Sequence, residues 1–466
     1  MILLDVTIVA VALPSMQREL SASAASVQWV VSGYALAFAL TLVTAGRLGD
    51  AFGRRRVFLI ALAAFVVCSA AAGAAPSVLW LIVARLAQGV AAGSLAPQNS
   101  ALIQQMFHGA ERGRAFGLFG ATVGLSSAVG PVTGGLILAL ADGPTGWRWI
   151  FYVNVPVGLI ALLLGFRLLP RVAPGRRGDL DAAGVALLGA GILAVMLPLV
   201  LAEAGGLSRL WWLFPVGLVL LLAFVRWERR VAARDGDPLL DPRLLTGTRG
   251  YATGAGLATL YFVGFSGVWL VFALFFQNGL GFSPLRSGLA VTPFAVGSAL
   301  AAAVAGRLVG RYGRLLTVWG LVAVMAGLGG TDLVLWLAPA HSAAYLAAPL
   351  LFLGGLGSGC VISPNVTMTL RDVPVRMAGA AGGAMQTGQR LGGAVGTAAL
   401  PGLFYLVLGT TGNDYHAAVA VSVGSGVVFM LCALAVAVVD RRRDRPDDGG
   451  RHSSEPSHSH THASHG

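Results

Sequence analysis

Lysine is missing from all 466 residues, and each of the 32 basic side chains is an arginine. Without lysine a chain cannot grip nucleotide phosphates as a P-loop does or form a Schiff base, so ordinary P-loop ATPases and lysine-dependent enzymes are excluded. Charge of any kind is scarce: Asp, Glu and Arg make up 11% of the chain, against about a quarter in a soluble domain. The three cysteines, Cys68, Cys360 and Cys432, each lie inside an apolar run, which speaks for small buried hydrophobes and against a disulfide framework. What remains is apolar, with 56% hydrophobic residues and a mean hydropathy of +0.77. This composition describes an integral membrane protein of the all-α class, since helices satisfy their own backbone in lipid.

A window of about 20 apolar residues per span finds thirteen complete spans after a short opening one, among them Val27 to Ala45, Val78 to Gln98, Ala115 to Leu140, Leu210 to Val225 and Ala378 to Leu406. The opening run, Met1 to Pro14, is too short to cross and lacks the flank and cleavage site of a signal peptide. It reads as the outer part of a first helix, so the natural start is expected upstream, or the chain is a truncated form. Alternate connections carry twenty-six arginines against four on the other side, with Arg85 and Arg390 inside spans. The positive-inside rule then places both termini and the basic loops in the cytoplasm. The net charge of +12 accordingly reports topology and attraction to anionic lipid, not nucleic acid.

The run Gly46-Arg-Leu-Gly-Asp-Ala-Phe-Gly-Arg54 returns 260 residues later as Gly306-Arg-Leu-Val-Gly-Arg-Tyr-Gly-Arg314. At an offset of 266, Gly89, Gly93, Asn99, Gly113 and Gly117 face Gly355, Gly359, Asn365, Gly379 and Gly383. The expected organisation is therefore a six-helix bundle over 1–169 with an incomplete first helix, two inserted helices and a cytoplasmic linker over 170–250, a second bundle over 251–440, and a disordered, histidine-rich tail over 441–466. Two related parallel halves are what a rocking secondary transporter needs.

Several motifs carry chemistry. In Gly46-x-Leu48-x-Asp50-x-x-Gly53-Arg54-Arg55, the glycines read as a tight turn, and the Asp50 carboxylate can sit against the positive end of a neighbouring helix. In Leu81-x-x-x-Arg85-x-x-Gln88-Gly89, an arginine within a bilayer costs at least ~2.5 kcal/mol unless it is paired or wet. Arg85 therefore needs a partner. Helix rise puts it about 10 Å, and Asp5 about 16 Å, below the outer edge, which makes Asp5 the leading choice. A carboxylate in an apolar site is pushed toward its neutral form by burial and back by a guanidinium, so Asp5 either carries a proton or forms a static salt bridge with Arg85. Gly117, Gly130, Pro131, Gly134 and Gly135 supply small residues and a bend to the fifth helix. Trp147-Arg-Trp-Ile-Phe151-x-x-Asn154 is expected at the outer interface, where tryptophans anchor. Gln88, Asn154, Gln386, Gln389 and Arg390 are read as cavity lining.

These motifs, with Leu4-Asp5-x-Thr7 and Pro238-Leu-Leu-Asp241, resemble those of the major facilitator superfamily, and within it the fourteen-span drug:proton antiporters of the EmrB/QacA type. The resemblance covers nearly the whole chain, missing the start of the first helix and the tail. It implies a cytoplasmic gate in which Gly46, Asp50, Gly53 and Arg54 close on a helix starting near Ala378. It also implies that the Gly117 to Gly135 set marks export rather than uptake. The chain departs from the pattern at Ala51, where a basic residue is usual, at Ala10, usually asparagine, and at Ser126, usually glycine.

The function expected on this basis is proton-driven export of amphipathic small molecules or drugs across a bacterial inner membrane, a transporter and not an enzyme. The partners are substrate, protons and lipid, with no cofactor or metal, and a periplasmic partner is left undetermined. Export of one endogenous metabolite, or a sensor or scaffold without flux, are the rival readings. Glu203 and Asp332 are expected at solvated helix ends, and Gly355-x-Gly357-x-Gly359 as packing within a span rather than a nucleotide loop. The tail histidines are expected to be disordered rather than metal-binding.

Overall fold

The computed structural model describes residues 1–141, 143, 145–170, 181–202, 205–234, 236–339 and 342–443, with the side chains of some helical residues, Pro131 among them, left undescribed. Arg171, Arg176, Arg177, Glu203 and the histidines of the tail lie outside the described residues. All regular structure among the described residues is helical. The helices are α1 (Ile2–Glu19), α2 (Ala24–Phe52), α3 (Arg54–Gly73), α4 (Val78–Met106), α5 (Gly109–Leu140), α6 (Arg148–Tyr152), α7 (Asn154–Leu168), α8 (Ala182–Val200) and α9 (Gly206–Arg209). They continue as α10 (Leu213–Ala233), α11 (Arg243–Thr246), α12 (Tyr251–Ser266), α13 (Val268–Leu274), α14 (Pro284–Tyr312), α15 (Arg314–Leu337), α16 (Ala343–Thr369), α17 (Ala378–Thr410) and α18 (Tyr415–Arg443). Among the described residues, eleven helical segments are long and apolar enough to cross a membrane by length and composition. Beyond these, α1, α5 and α10 are long helices of 18, 32 and 21 residues. Side chains such as Ile60, Leu118, Leu163 and Leu300 stand exposed around the outside, where lipid rather than water covers them.

Local chemistry sets the ends. Ser23, Ser77 and Ser283 accept hydrogen bonds from backbone amides three residues on and so open α2, α4 and α14, as N-capping hydroxyls do. The two copies of the repeated motif both turn on their last glycine, Gly53 at φ +97° and Gly313 at φ +50°, a region that only glycine enters without strain. Gly46 makes no turn: α2 runs on unbroken to Phe52, seven residues past the expected end. The apolar run stops at Ala45, but the helix continues where polar side chains leave the lipid.

Glycine at Gly46 serves helix contact instead. A methyl group there would come 2.2 Å from the carbonyl oxygen of Gly379 on α17. The mirror contact exists as well, since Gly306 of α14 lies against the backbone of Gly113 and Gly117 of α5. Within each group the same logic repeats: Gly89 and Gly93 lay α4 on the backbone of α2, while Gly355 and Gly359 lay α16 on that of α14. Gly355, Gly357 and Gly359 are thus packing positions in mid-helix. The offsets of 260 and 266 in the sequence correspond to matching helix contacts in space.

Helices α8 and α10 pack on each other, and α8 packs beside α2 and α17, with Ile192 and Met196 against Leu36, Ala39, Leu391 and Ala394. The stretch Pro238 to Asp241 folds back beneath them: Leu239 packs against Val43 and Phe224, and the amide of Leu240 donates to Glu228 at 3.0 Å. Glu228 lies past the apolar run of α10 and is 1% exposed. Burial, and then the neighbouring Asp181 carboxylate, push its pKa from 4.5 up to about 7, against the pull of the Leu240 amide. The folded chain therefore holds a proton that the unfolded chain has released, and this contribution to stability is lost as pH rises from about 4.5 to about 7. Glu228→Gln is expected to melt at nearly the same temperature as the wild type at pH 4, below the unfolded value, and at a higher one at pH 8. Equal melting temperatures at pH 8 would show that this carboxyl does not destabilise the fold.

Trp147 departs from the interfacial anchor expected of it. Its ring is fully buried, edge-on to Phe151, and its indole N–H donates to Glu19. Trp149 is the exposed tryptophan of that motif. Asp332 is also not simply solvated, because its Oδ1 is enclosed with no hydrogen-bond partner among the described residues.

Candidate functional site

Five helices, α1, α2, α3, α4 and α7, meet in the hydrogen-bond network around the carboxylate of Asp5. It is 1% exposed, and Arg85 and Gln88 are fully buried. Arg85 Nη1 stands 2.6 Å from Asp5 Oδ2 and 2.7 Å from Gln88 Oε1, to which it also donates. Arg85 Nε donates to the carbonyl of Val30 on α2 at 3.1 Å. The other carboxylate oxygen, Oδ1, accepts from Gln88 Nε2 at 3.2 Å and from Asn154 Nδ2 at 2.8 Å. Asn154 reaches Ser69 on α3 as well, at 3.1 Å. The guanidinium lies over the ring of Tyr34, 4.1 Å from its centroid.

The structure thus brings Asp5 and Arg85 together, as expected from the cost of a lone charge in lipid. Gln88 and Asn154 are not open cavity lining: they are buried donors to the carboxylate. For Gln88 the signal was its place one turn after Arg85, on the same helix face. Ser69 and Tyr34 had no signal beyond lying in apolar runs. The chemistry available is a choice of protonation state. The ionised carboxylate is satisfied by one cation and two amides, whereas a proton on Asp5 would remove the charge attraction that ties α1 to Arg85 of α4.

The second feature is a latch at the arginine-rich face. Asp50 Oδ1 accepts from the Gly379 amide at 3.1 Å and Oδ2 from the Ala380 amide at 3.0 Å, at the first turn of α17, where unpaired N–H groups and the helix dipole favour an anion. Arg54 holds Asp50 in place from one turn on, with Nη2 at 2.8 Å. It also donates to Ala101 O at 3.2 Å, to Gln105 Oε1 at 3.3 Å and to Val375 O. Gln104 donates to Leu370 O at 2.6 Å, a further tie between the first and last groups of helices. The second copy of the motif is placed differently among the described residues. Gly310 stands where Asp50 does, and Arg314 instead meets Asp440 at 2.6 Å and Asn365 Oδ1 at 2.6 Å, both within the last group.

The glycines of α5 do not form one site. Gly117 lies on α14, Gly134 lies 3.2 Å from the Ile8 carbonyl of α1, and Gly135 faces open space, all by the position of an added methyl. Gly130 is buried, and the side chain of Pro131 lies outside what the structure describes. On α17, Gln386 donates to Ala96 O at 3.3 Å. Gln389 is half-buried, and the Arg390 guanidinium sits 4.4 Å over the ring of Phe38.

A buried ion pair among long apolar helices, with hydrogen bonds tying together two groups related by a repeat, fits a polytopic membrane transporter. Comparison with known proteins names its kind. The family model described as Major Facilitator Superfamily matches residues 1–397 and, in a second match, 254–459. The chain is 37% identical over 420 residues to a probable actinorhodin transporter of Streptomyces coelicolor, covering 88% of this chain and 71% of the relative. It is 37% identical over 478 residues to a puromycin resistance protein of Streptomyces alboniger, covering 98% and 92%. Its fold is similar to the crystal structure of a human organic anion transporter, with TM-score 0.65 at 15% identity over 94% of this chain and 96% of that one. The chain belongs to the Major Facilitator Superfamily.

Proposed function

We propose that the chain is a proton-driven exporter of amphipathic small molecules, working by alternating access in a bacterial plasma membrane. The observation that carries this reading is the Asp5 carboxylate, buried in a membrane-spanning bundle and held by a cation and two amides. A proton entering from outside neutralises Asp5 and releases Arg85. Cargo and proton exchange because they favour different states. In this reading the arginine-rich face is cytoplasmic, both termini lie there, and the Asp50 latch closes that side while cargo leaves outward. The finer assignment is to the fourteen-span drug:proton antiporters, with bundles over 1–169 and 251–440 and two extra helices between them. It is supported by the fall of α1, α5 and α10 where spans are expected and by the second family match over 254–459.

A second reading, export of one metabolite, is favoured by relatives named for single antibiotics. Competition for flux by several unrelated amphipathic dyes supports the first, and its absence the second. The deciding test of export itself is dye efflux from proteoliposomes under an imposed pH gradient. Efflux is expected to collapse to the leak of protein-free vesicles on adding a protonophore. Efflux unaffected by the protonophore contradicts proton drive.

A further inference from the structure

Arg390 is the second arginine inside a span, and its surroundings differ from those of Arg85. Arg85 has a carboxylate, an amide and a carbonyl. Arg390 has only the face of Phe38: among the described residues no carboxylate lies within ion-pairing distance and no acceptor takes a hydrogen bond from it. A guanidinium carries five N–H donors, and an unpaired one within a membrane is expensive unless it faces a wet space or a ligand. Arg390 is not fully enclosed as Arg85 is: it keeps part of its surface exposed.

A second unmet donor lies beside it. The Tyr34 hydroxyl is enclosed, with its residue 3% exposed, and has no hydrogen-bond partner among the described residues. Tyr34 and Phe38 are one turn apart on the same face of α2, with ring centroids 6.2 Å apart. Phe38 links the two: the Arg390 guanidinium lies over its ring, and that ring packs beside the ring of Tyr34. Depth agrees: counted from the arginine-rich ends of their helices, Arg390 and Phe38 stand about 18 Å and about 21 Å in. On one face of α2, then, two cations flank two aromatic rings, and only the cation at the Asp5 end has its anion.

We infer that Arg390, with the Tyr34 hydroxyl behind it, binds an anionic oxygen group of the cargo, a carboxylate or an acidic phenol or enol. This rests on the export reading and names its substrate class: amphipathic acids rather than lipophilic cations. Phe38 supports the guanidinium from below, which leaves the edges of the fork for two parallel hydrogen bonds to an oxyanion. The ring of Tyr34 joins this position to the Arg85 and Asp5 pair, so cargo charge and proton are read on the same stretch of α2.

The test uses two xanthene dyes with the same ring system and opposite charge, fluorescein and rhodamine 6G, and the purified full chain in detergent. Binding is followed by fluorescence anisotropy, which needs no pH gradient. The wild type is expected to bind fluorescein at least about tenfold more tightly than rhodamine 6G, the worth of a charge-assisted hydrogen bond. Arg390→Gln is expected to abolish or invert that preference, while Arg390→Lys keeps part of it. Tyr34→Phe is expected to weaken fluorescein binding severalfold and leave rhodamine 6G unchanged. A wild type that favours the cationic dye, or binds neither, overturns the inference without any variant. An unchanged preference in a folded Arg390→Gln protein overturns it too. Failure of export is separable: fluorescein bound through Arg390 but never moved by a pH gradient removes the transport reading and leaves this site standing.

Discussion

Asp5→Asn is expected to bring gradient-driven efflux down to the leak of protein-free vesicles. Asparagine keeps the size of the side chain and still accepts a hydrogen bond through its carbonyl oxygen, but it can neither ionise nor take up a proton. If the pair with Arg85 serves only to hold α1 against α4, the loss shows as instability and the surviving folded protein still couples. If Asp5 is the proton carrier, coupling disappears whatever the stability. The two effects can be separated. Breaking a buried pair by removing one partner costs about 3–5 kcal/mol, because the other charge is left buried alone. Arg85 is fully buried, so Asp5→Asn alone is expected to lower the melting temperature. The double variant with Arg85→Gln removes that orphan charge and is expected to recover stability without recovering proton drive. A double variant that regains pH-driven efflux contradicts the role given to Asp5.

Gly46→Ala is expected to have the next largest effect, and it acts on the latch rather than on the proton. The added methyl would lie 2.2 Å from the Gly379 carbonyl oxygen and 2.6 Å from its carbon. Both are backbone atoms of α17, so no side chain can swing away, and α2 and α17 must part. Overpacking of this kind costs about 1–3 kcal/mol, enough to shift the closed and open populations by about fivefold to a hundredfold. The Asp50 carboxylate, 3.1 and 3.0 Å from the Gly379 and Ala380 amides, loses its seat by the same movement. Spin labels at the exposed positions Arg56 and Arg376, in a background with Cys68, Cys360 and Cys432 replaced, report the outcome. A longer distance population should appear in Gly46→Ala, with efflux reduced at least about tenfold. A distance distribution identical to that of the parent chain would show that the latch tolerates the methyl and that the contact is not a gate.

What could be read from the sequence follows a physical line. Arg85 and Asp5 were legible as partners because an isolated charge in an apolar run poses an energetic problem with few solutions. The repeat was legible because close helix approach demands glycine at fixed intervals, and the paired glycines do lie on matching backbones. Gln88 and Asn154 were harder to place, since an amide in an apolar run looks the same whether it lines a cavity or serves a carboxylate two helices away. Gly46 was mistaken for a turn because the apolar run ends one residue before it, although hydropathy marks the edge of the lipid and not the end of the helix. Trp147 and Asp332 were placed by depth alone, and depth says nothing about which side of a helix faces its neighbours. Tyr34 illustrates the remaining gap: α17 carries Arg390 onto Phe38, one turn along α2 from Tyr34, a meeting of residues more than three hundred positions apart.

The most direct measurement is the infrared difference spectrum between alkaline and acidic pH, recorded for the wild type and for Asp5→Asn. The wild type should gain a carboxylic acid C=O band on acidification that Asp5→Asn lacks and Glu228→Gln retains. Identical spectra from the wild type and Asp5→Asn would mean that the buried carboxyl group never takes up a proton, and the proposed coupling would fail.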